Sequence, residues 1–439
     1  MKEPINLTDA QLSAVDMVRR NWISLLSGSA GTGKTTTLLS ILQMADAQGW
    51  EVLQASPTGK AAKRMMESTH RPATTIHAML VCEFDGGDFS FRHNKDNPLR
   101  ADLIILDESS MIDNSLMAAV FEAIDPDRTR LLMVGDPYQL PSVGTGAVFR
   151  DFIDSGLFPH VELTVIHRNT GRILEVCHSV RSKKLYFPDD RLDLEAENPI
   201  NLIHVECDTP EKTQQGVEAI MCDRLPLRGF NPVDDVMVLS PVNTKGLLSC
   251  LALNRRLRER LNIDPCRDPS AVDDEIDEQE KVGAKMEFRQ GDKVIQTKNE
   301  QVKTPENEQT FVVNGDIGKI VAVDGDHLIV DFTEPDRRVV LPAKNNDLLH
   351  AYCITCHRAQ GSEAPVVIVP IHRQFNYFLS NAWLYTALSR GKQIVITIGT
   401  FSTIERAIKN VTPNNRTTRL KQRFVEYDRA EMEVEFNDI

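Results

Sequence analysis

One octapeptide constrains this chain more than any other stretch. Gly28-Ser29-Ala30-Gly31-Thr32-Gly33-Lys34-Thr35 fits the spacing G-x-x-x-x-G-K-[ST] at every fixed position. The run before it, Trp22 to Leu26, reads as a buried strand, and the run after it, Thr36 to Ala45, as a helix. That strand–loop–helix order is the context the spacing requires. The glycines let backbone N–H groups close around phosphate oxygens, and the helix start adds its positive end. Lys34 is then expected at the β- and γ-phosphates of a nucleotide, and Thr35 at Mg²⁺. The plain alternative is a Gly-rich turn before a helix. Gly28, Gly33, Lys34 and Thr35 occurring together argue against it.

Composition sets outer bounds. A chain of 439 residues has room for about two to three domains. Its 41% apolar content suits a sizeable core, and no apolar run is long enough to span a bilayer. No apolar core follows Met1-Lys2-Glu3-Pro4, so a signal peptide is not expected and the cytoplasm is. Eight scattered cysteines fit reduced thiols better than a disulfide framework. The net charge of −13 opposes non-specific attraction to nucleic acid, but a groove needs only local basic residues. Part of the surplus sits in one run, Asp273 to Glu280, read as a solvated loop.

Taken in order, the chain opens with a helix from Leu7, capped by Thr8 or Asp9. Gln11 lies one helix upstream of the phosphate loop, where an amide has the donor and acceptor to read an adenine edge. The next strand, Glu51 to Ser56, runs into Pro57-Thr58-Gly59-Lys60, a polar turn with basic residues entering a helix. Thr74-Thr75-Ile76-His77 is a second short polar motif. Val81 to His93 reads as a β-hairpin about Gly86-Gly87, with Phe84, Phe89 and Phe91 on its arms. Leu103 to Leu106 is a buried strand ending in Asp107-Glu108, the place for a metal-holding carboxylate and a general base. Arg130 to Val134 is another, ending in Gly135-Asp136-Pro137-Tyr138-Gln139. Open α/β sheets bind ligands at such carboxyl ends.

A second α/β half starts near Leu163 to Asn169 and contains the strand Val236 to Ser240, followed by Asn243. The helix Leu251 to Leu261 carries four arginines, read as a solvated face. From Phe288 to Lys344 short strands punctuated by turn residues indicate a small all-β insert of SH3-like size. The α/β pattern then resumes through Thr355, His357 and Glu363 to a helix at Trp383 to Lys392, and the tail from Thr412 is polar. Cys353-Ile354-Thr355-Cys356-His357 matches the c-type haem spacing. Without an export signal or a second cysteine pair, neither haem nor zinc is expected there.

Together these motifs resemble the superfamily 1 DNA helicases, in the RecD-like and Dda-like branch, over roughly residues 5 to 400. Gln11 matches the Q motif, Gly28 to Thr35 motif I, Ala55 to Ala62 motif Ia, Asp107-Glu108 motif II and Gly135 to Pro141 motif III. His167-Arg168 resembles motif IV, with His167 where an aromatic is common. Thr355 to Glu363 resembles motif V, and Tyr385 to Arg390 motif VI. The resemblance implies two RecA-like P-loop motor domains: residues 1–165, with a β-hairpin pin inserted at 79–98, and residues 166–439, with the SH3-like all-β domain inserted at 286–345.

The resemblance also implies roles. Lys34, Glu108, Gln139, Arg168 and Arg390 would be catalytic, the two arginines as fingers on the γ-phosphate. Gln11, Gly28, Ser29, Ala30, Gly31, Thr32, Gly33, Lys34, Thr35, Thr36 and Glu363 would bind ATP, with Thr35 and Asp107 holding Mg²⁺. Pro57, Thr58, Lys60, Thr75, His77, Asn243, Thr355 and His357 would face single-stranded DNA, with Phe89 and Phe91 at the fork. Implied is an ATP-dependent helicase moving 5′→3′ on single-stranded DNA and acting on 5′-tailed duplex. It would be a monomer in a bacterial or phage-infected cytoplasm, with replication or single-strand-binding proteins as partners and no membrane. The alternatives are a single-strand-stimulated ATPase that does not unwind, acting as translocase or assembly factor, and an RNA helicase.

Overall fold

A computed structural model of the chain describes residues 7–29, 31–85, 88–165, 171–184, 201–262, 287–333, 336–344, 347–411, 419–424 and 426. The chain divides into two compact units, Met1–Thr170 with Thr412–Ile439, and Gly171–Val411.

Unit 1 is built on six parallel strands with helices on both faces. Its strands are β1 (Ile23–Gly28), β2 (Val52–Ser56), β3 (Thr74–Thr75), the hairpin pair β4 (Cys82–Asp85) and β5 (Asp88–Phe91), β6 (Leu103–Leu106), β7 (Arg130–Gly135) and β8 (His160–Leu163). The sheet order is β3-β2-β6-β7-β1-β8. β6 and the inner part of β1 are buried on both faces, as continuous Leu/Ile runs require. Leu25, Ile104, Leu106, Met133 and Phe152 fill one side, and Leu26, Leu38, Ile41, Leu132 and Val134 the other. The reversal of strand order places the phosphate loop, after β1, near the carboxyl ends of β6 and β7, where doubly wound sheets hold their ligands. The expected hairpin is present, with Phe84 opposite Phe89 and Cys82 opposite Phe91 in the β4–β5 register.

Unit 2 carries a five-stranded parallel sheet interrupted by an all-β insert. Its strands are β9 (Asn201–Glu206) and β10 (Val236–Ser240), then the insert's β11 (Lys293–Gln296), β12 (Glu300–Lys303), β13 (Gln309–Val312), β14 (Ile317–Asp324), β15 (His327–Thr333), β16 (Asp336–Pro342) and β17 (Leu348–His350), then β18 (Cys353–Thr355), β19 (Ala364–Ile371) and β20 (Gly391–Gly399). The parallel order is β18-β10-β19-β20-β9, and the insert is one antiparallel sheet in the order β13-β12-β16-β15-β14-β11-β17. The fold is therefore two parallel α/β units, with the hairpin in the first and the all-β insert in the second.

Buried Asp292 roots the insert. Its carboxylate accepts from Arg258 Nε at 2.9 Å, Asn262 Nδ2 at 2.9 Å, the Arg289 N–H at 2.8 Å and His350 Nε2 at 3.3 Å. The four arginines of helix Cys250–Leu261 accordingly do not form a simple solvated face. Arg256 pairs with Glu218, Arg258 with Asp292, Arg260 with Asp223 and Arg255 with Glu259.

The C-terminal stretch also departs from expectation. Sequence reading places it at the end of the second motor domain, as a polar tail. Its described residues instead pack on unit 1, where Leu420 and Phe424 join the core. Phe424 meets Phe152 edge-on at 4.8 Å and Phe158 at 5.3 Å. Two apolar side chains one helical turn apart make a stripe, too short to stand out in a charged segment. Among the described residues no helix is long and apolar enough to cross a membrane.

Candidate functional site

The helix Asp9–Arg20 begins with a reciprocal capping box: Gln11 N–H donates to Thr8 Oγ1 at 3.3 Å, and Gln11 Oε1 accepts from Thr8 N–H at 2.9 Å. The buried Gln11 amide then donates from Nε2 to Gly33 O at 3.4 Å. Gln11 thus ties the first helix to the phosphate loop, and both ends of the amide expected to read adenine already have partners. In the loop, Gly31 and Gly33 stand at φ 79° and 86°, a left-handed conformation that favours glycine. Gly28 is needed for space, since a Cβ there would lie 2.5 Å from Thr32 Oγ1. Lys34 Nζ donates to Gly28 O at 2.6 Å and Ser29 O at 3.1 Å, folding across the loop. Thr35 is exposed at the first turn of helix Lys34–Ala47.

Asp107 and Glu108 leave the carboxyl end of β6. Burial and the neighbouring Glu108 charge push the Asp107 carboxyl up to about 6, against the opposing pull of the Glu108 N–H and the Lys34 ammonium. Glu108 N–H donates to Asp107 Oδ1 at 2.8 Å, and Glu108 takes φ 52°. A left-handed glutamate is strained, by an amount of order 1–2 kcal/mol, and such strain concentrates at functional positions. The Thr35 hydroxyl and the Asp107 and Glu108 carboxylates are hard oxygen donors with surplus negative charge, a chemistry that suits Mg²⁺. Thr35 and Asp107 are the residues that would hold it. Gln139 is buried beyond β7, with Nε2 3.4 Å from Asp136 Oδ2. It lines a pocket with Ser110, Pro137, Pro141, Phe149 and Arg150.

The residues expected to face DNA in unit 1 follow β2 and β3. Thr58 and Thr75 cap the helices Gly59–Thr69 and Ile76–Met79, accepting from Ala61 N–H and Ala78 N–H. Each hydroxyl keeps its own proton to donate. Pro57 is half-buried, His77 is exposed and Lys60 is buried. Phe91, expected at the fork, is half-buried instead. It packs on the unit 1 core beside His77, with ring centroids 6.1 Å apart. The pull of that core on a ring at the hairpin's base is the reason.

In unit 2, Asn243 and His357 are exposed beyond the carboxyl ends of β10 and β18, and Thr355 ends β18 buried. The connection from Thr355 to Glu363 leads from that edge to the amino end of β19. There Glu363 lies 3.6 Å from Lys392, and Ala364 N–H donates to Arg390 O at 3.0 Å. Arg390 lies past the end of helix Asn381–Leu388, not within it. Its buried guanidinium donates to Thr386 O at 3.1 Å, Ser362 O at 3.5 Å and Ser389 Oγ at 3.0 Å. Cys353 and Cys356 are buried, and burial raises both thiols, Cys356 to about 12. Cys353 faces Cys250 Sγ at 3.9 Å, and Cys356 faces Trp383 O.

Residues 6–186 match the AAA domain family, and residues 350–398 match the UvrD-like helicase C-terminal domain. The ATP-dependent RecD2 DNA helicase of Deinococcus radiodurans is 33% identical over 401 residues, which is 90% of this chain and 49% of that protein. The RecBCD enzyme subunit RecD of Mycolicibacterium smegmatis is 26% identical over 449 residues, 94% of this chain and 74% of that protein. The chain belongs to the RecD-like superfamily 1 helicases. This RecD-like chain spans about half the length of the Deinococcus relative. It shares its fold with a Pif1 helicase solved in a study of unwinding at forked duplex DNA, at a TM-score of 0.52, with 17% identity and 98% of each chain covered.

Within unit 1 of this RecD-like chain, the phosphate loop, Asp107, Glu108 and Gln139 all leave the carboxyl edge of one sheet. Ala30, Arg168 and the Asp273 to Glu280 run lie outside the described residues, as do the side chains of Phe84 and Phe89. Thr36 is half-buried beside Thr35, and its carbonyl accepts from Ser40 Oγ. Sequence reading passed over two features. Asp292 sits in an ordinary Gly-Asp-Lys-Val turn and gains its meaning from partners distant in sequence. Tyr377-Phe378 is an aromatic pair within a polar loop, and that contrast is the signal that would have exposed it.

Proposed function

We propose that this chain is an ATP-driven helicase that moves 5′→3′ on single-stranded DNA and opens duplex at the β4–β5 hairpin. The observation that carries the proposal is the convergence at one sheet edge of Lys34, folded over the phosphate loop, with the Asp107–Glu108 pair. The Deinococcus relative is named an ATP-dependent DNA helicase, which supports the same substrate class.

In this reading Lys34 releases the Gly28 and Ser29 carbonyls and takes β- and γ-phosphate oxygens in their place. Glu108 accepts the proton of the attacking water. When bound, Mg²⁺ draws charge from the phosphate oxygens. Gln139 is assigned to sensing the γ-phosphate, and Arg168 and Arg390 to stabilising its developing charge. Arg390 must exchange at least one of its three acceptors to do so. The hydroxyls of Thr58, Thr75 and Thr355, with Lys60, His77, Asn243 and His357, bind the phosphate backbone, giving affinity without sequence preference. With Phe91 half-buried against the unit 1 core, Phe89 is the assigned wedge.

The test is displacement of a labelled strand from DNA and RNA duplexes bearing 5′ tails, 3′ tails or none. Displacement of the 5′-tailed DNA, dependent on ATP and Mg²⁺, is expected. Action on 3′ tails alone would overturn the direction. Single-strand-stimulated hydrolysis with no displacement would overturn the wedge and leave a translocase.

A further inference from the structure

The connection after β19 displays two aromatic rings to solvent. Tyr377 is 88% exposed and Phe378 51% exposed, while Phe375 and Leu379 on either side are buried. The loop around them is tightly bonded. His372 is buried and its Nδ1 accepts from Gln374 N–H at 3.3 Å. Phe378 N–H and Leu379 N–H both donate to Phe375 O, at 2.8 and 3.0 Å, and Asn410 Nδ2 donates to Leu379 O at 2.8 Å. The rings meet edge-on, with centroids 5.4 Å apart and planes at 86°. Burying one apolar side chain stabilises a protein by roughly 1.5–3 kcal/mol. A rigid loop that leaves two rings in water forgoes that gain, which marks a surface made for contact.

Position and charge identify the contact. β18, β10 and β19 are parallel neighbours, so their carboxyl ends share one edge. Asn243 and His357 are exposed on the connections after β10 and β18, and Tyr377 on the one after β19. The β10 and β19 connections touch, since a Cβ on Gly246 would lie 3.6 Å from the Gln374 carboxamide. Residues 372–379 and 241–249 contain no acidic residue and display Arg373 and Lys245. Asp208, whose carbonyl meets the His372 ring at 3.4 Å, pairs its carboxylate with Lys212 at 2.9 Å.

We propose that Tyr377 and Phe378 are a stacking platform for the bases of a single DNA strand, with Arg373 and Lys245 on its phosphates. The proposal rests on the reading that unit 2 binds single-stranded DNA, and it extends that path past Asn243. Stacking tolerates any base because every base has a π face, which suits an enzyme that must move without regard to sequence.

The test compares binding of oligothymidylate with binding of an abasic strand of equal length, across a salt series. Tyr377→Ala with Phe378→Ala should weaken oligothymidylate binding about tenfold or more. The abasic affinity and the slope against salt should stay at the wild-type values. Tyr377→Trp should bind at least as tightly as wild type, and Tyr377→Leu, which keeps the bulk and lacks a ring, should lose affinity. Arg373→Ala should reduce the salt slope by about one. Unchanged oligothymidylate affinity in the double variant refutes the platform, and so does an equal loss on the abasic strand. Wild-type self-association that the double variant abolishes would make the patch a contact between copies instead. A wild type that binds neither strand would defeat the DNA reading itself, a result distinct from failure of the platform.

Discussion

Replacing Asp107 with asparagine should stabilise the protein in the absence of Mg²⁺ while abolishing its hydrolytic function. Burial and the Glu108 charge lift the Asp107 carboxyl from its ordinary 3.8 to about 6. That is about two pH units, or about 3 kcal/mol at 1.36 kcal/mol per unit, as a ceiling on the cost of keeping it ionised. The folded state holds this proton more tightly than the unfolded chain. Wild type therefore gains stability as pH falls from about 6 towards 4, and bears the full cost above about 6. Asparagine cannot ionise, yet its oxygen can still accept the Glu108 N–H. The Asn variant should match wild type near pH 4, gain on it between about 4 and 6, and keep a constant lead above. In a unit of this size 1 kcal/mol corresponds to about 2–4 °C, so a rise of several degrees is expected at pH 8 with EDTA. Thermal and urea unfolding of both proteins across pH would measure it. Mg²⁺ should raise wild type and leave the variant unmoved. A variant less stable than wild type at pH 8, or a difference that ignores pH, would refute the reasoning.

Lys34→Ala should abolish ATP turnover, and Glu108→Gln should bind ATP yet hydrolyse it about 10²–10⁴-fold more slowly; normal steady-state turnover in the second would mean another base. Although burial opposes it, the hydrogen bonds from His350, Arg258, Asn262 and the Arg289 N–H hold Asp292 well below the usual carboxylate range. Its contribution to stability should thus be intact above about pH 4 and lost as pH falls through the lowered value. Asp292→Asn should cost unit 2 about 3–5 kcal/mol in urea, because it leaves Arg258 buried beside a neutral group. Phe424→Ala should cost unit 1 roughly 1–3 kcal/mol, less than a fully buried ring, and an unchanged urea midpoint would show that the C-terminal contact contributes nothing.

The sequence by itself determined what depends on neighbours along the chain. The phosphate loop between its strand and helix, the carboxylate pair at the end of a Leu-Ile run, the hairpin about two glycines and the turn-rich all-β insert all follow from spacing within a dozen residues. Backbone dihedrals and strand alternation act over that range. Placement at a sheet's carboxyl edge then follows from parallel α/β topology, which is why Asp107, Glu108 and Gln139 leave the same edge as the loop. Only the tertiary structure decided which side chains are used up by partners far away in sequence. Phe91 reads as a hairpin ring, and the fold packs it half-buried against the unit 1 core. The Gln11 amide reaches the phosphate loop, donating to Gly33 O 22 residues on. Arg258 reads as solvated until Asp292, in the insert, meets it. Phe424 packs on the unit 1 core from a stretch that reads as a polar tail, while Tyr377, which carries no reading in the sequence, is left in water on a bonded loop. Burial is a sum over contacts between segments that lie from tens to hundreds of residues apart, and no local pattern carries that sum.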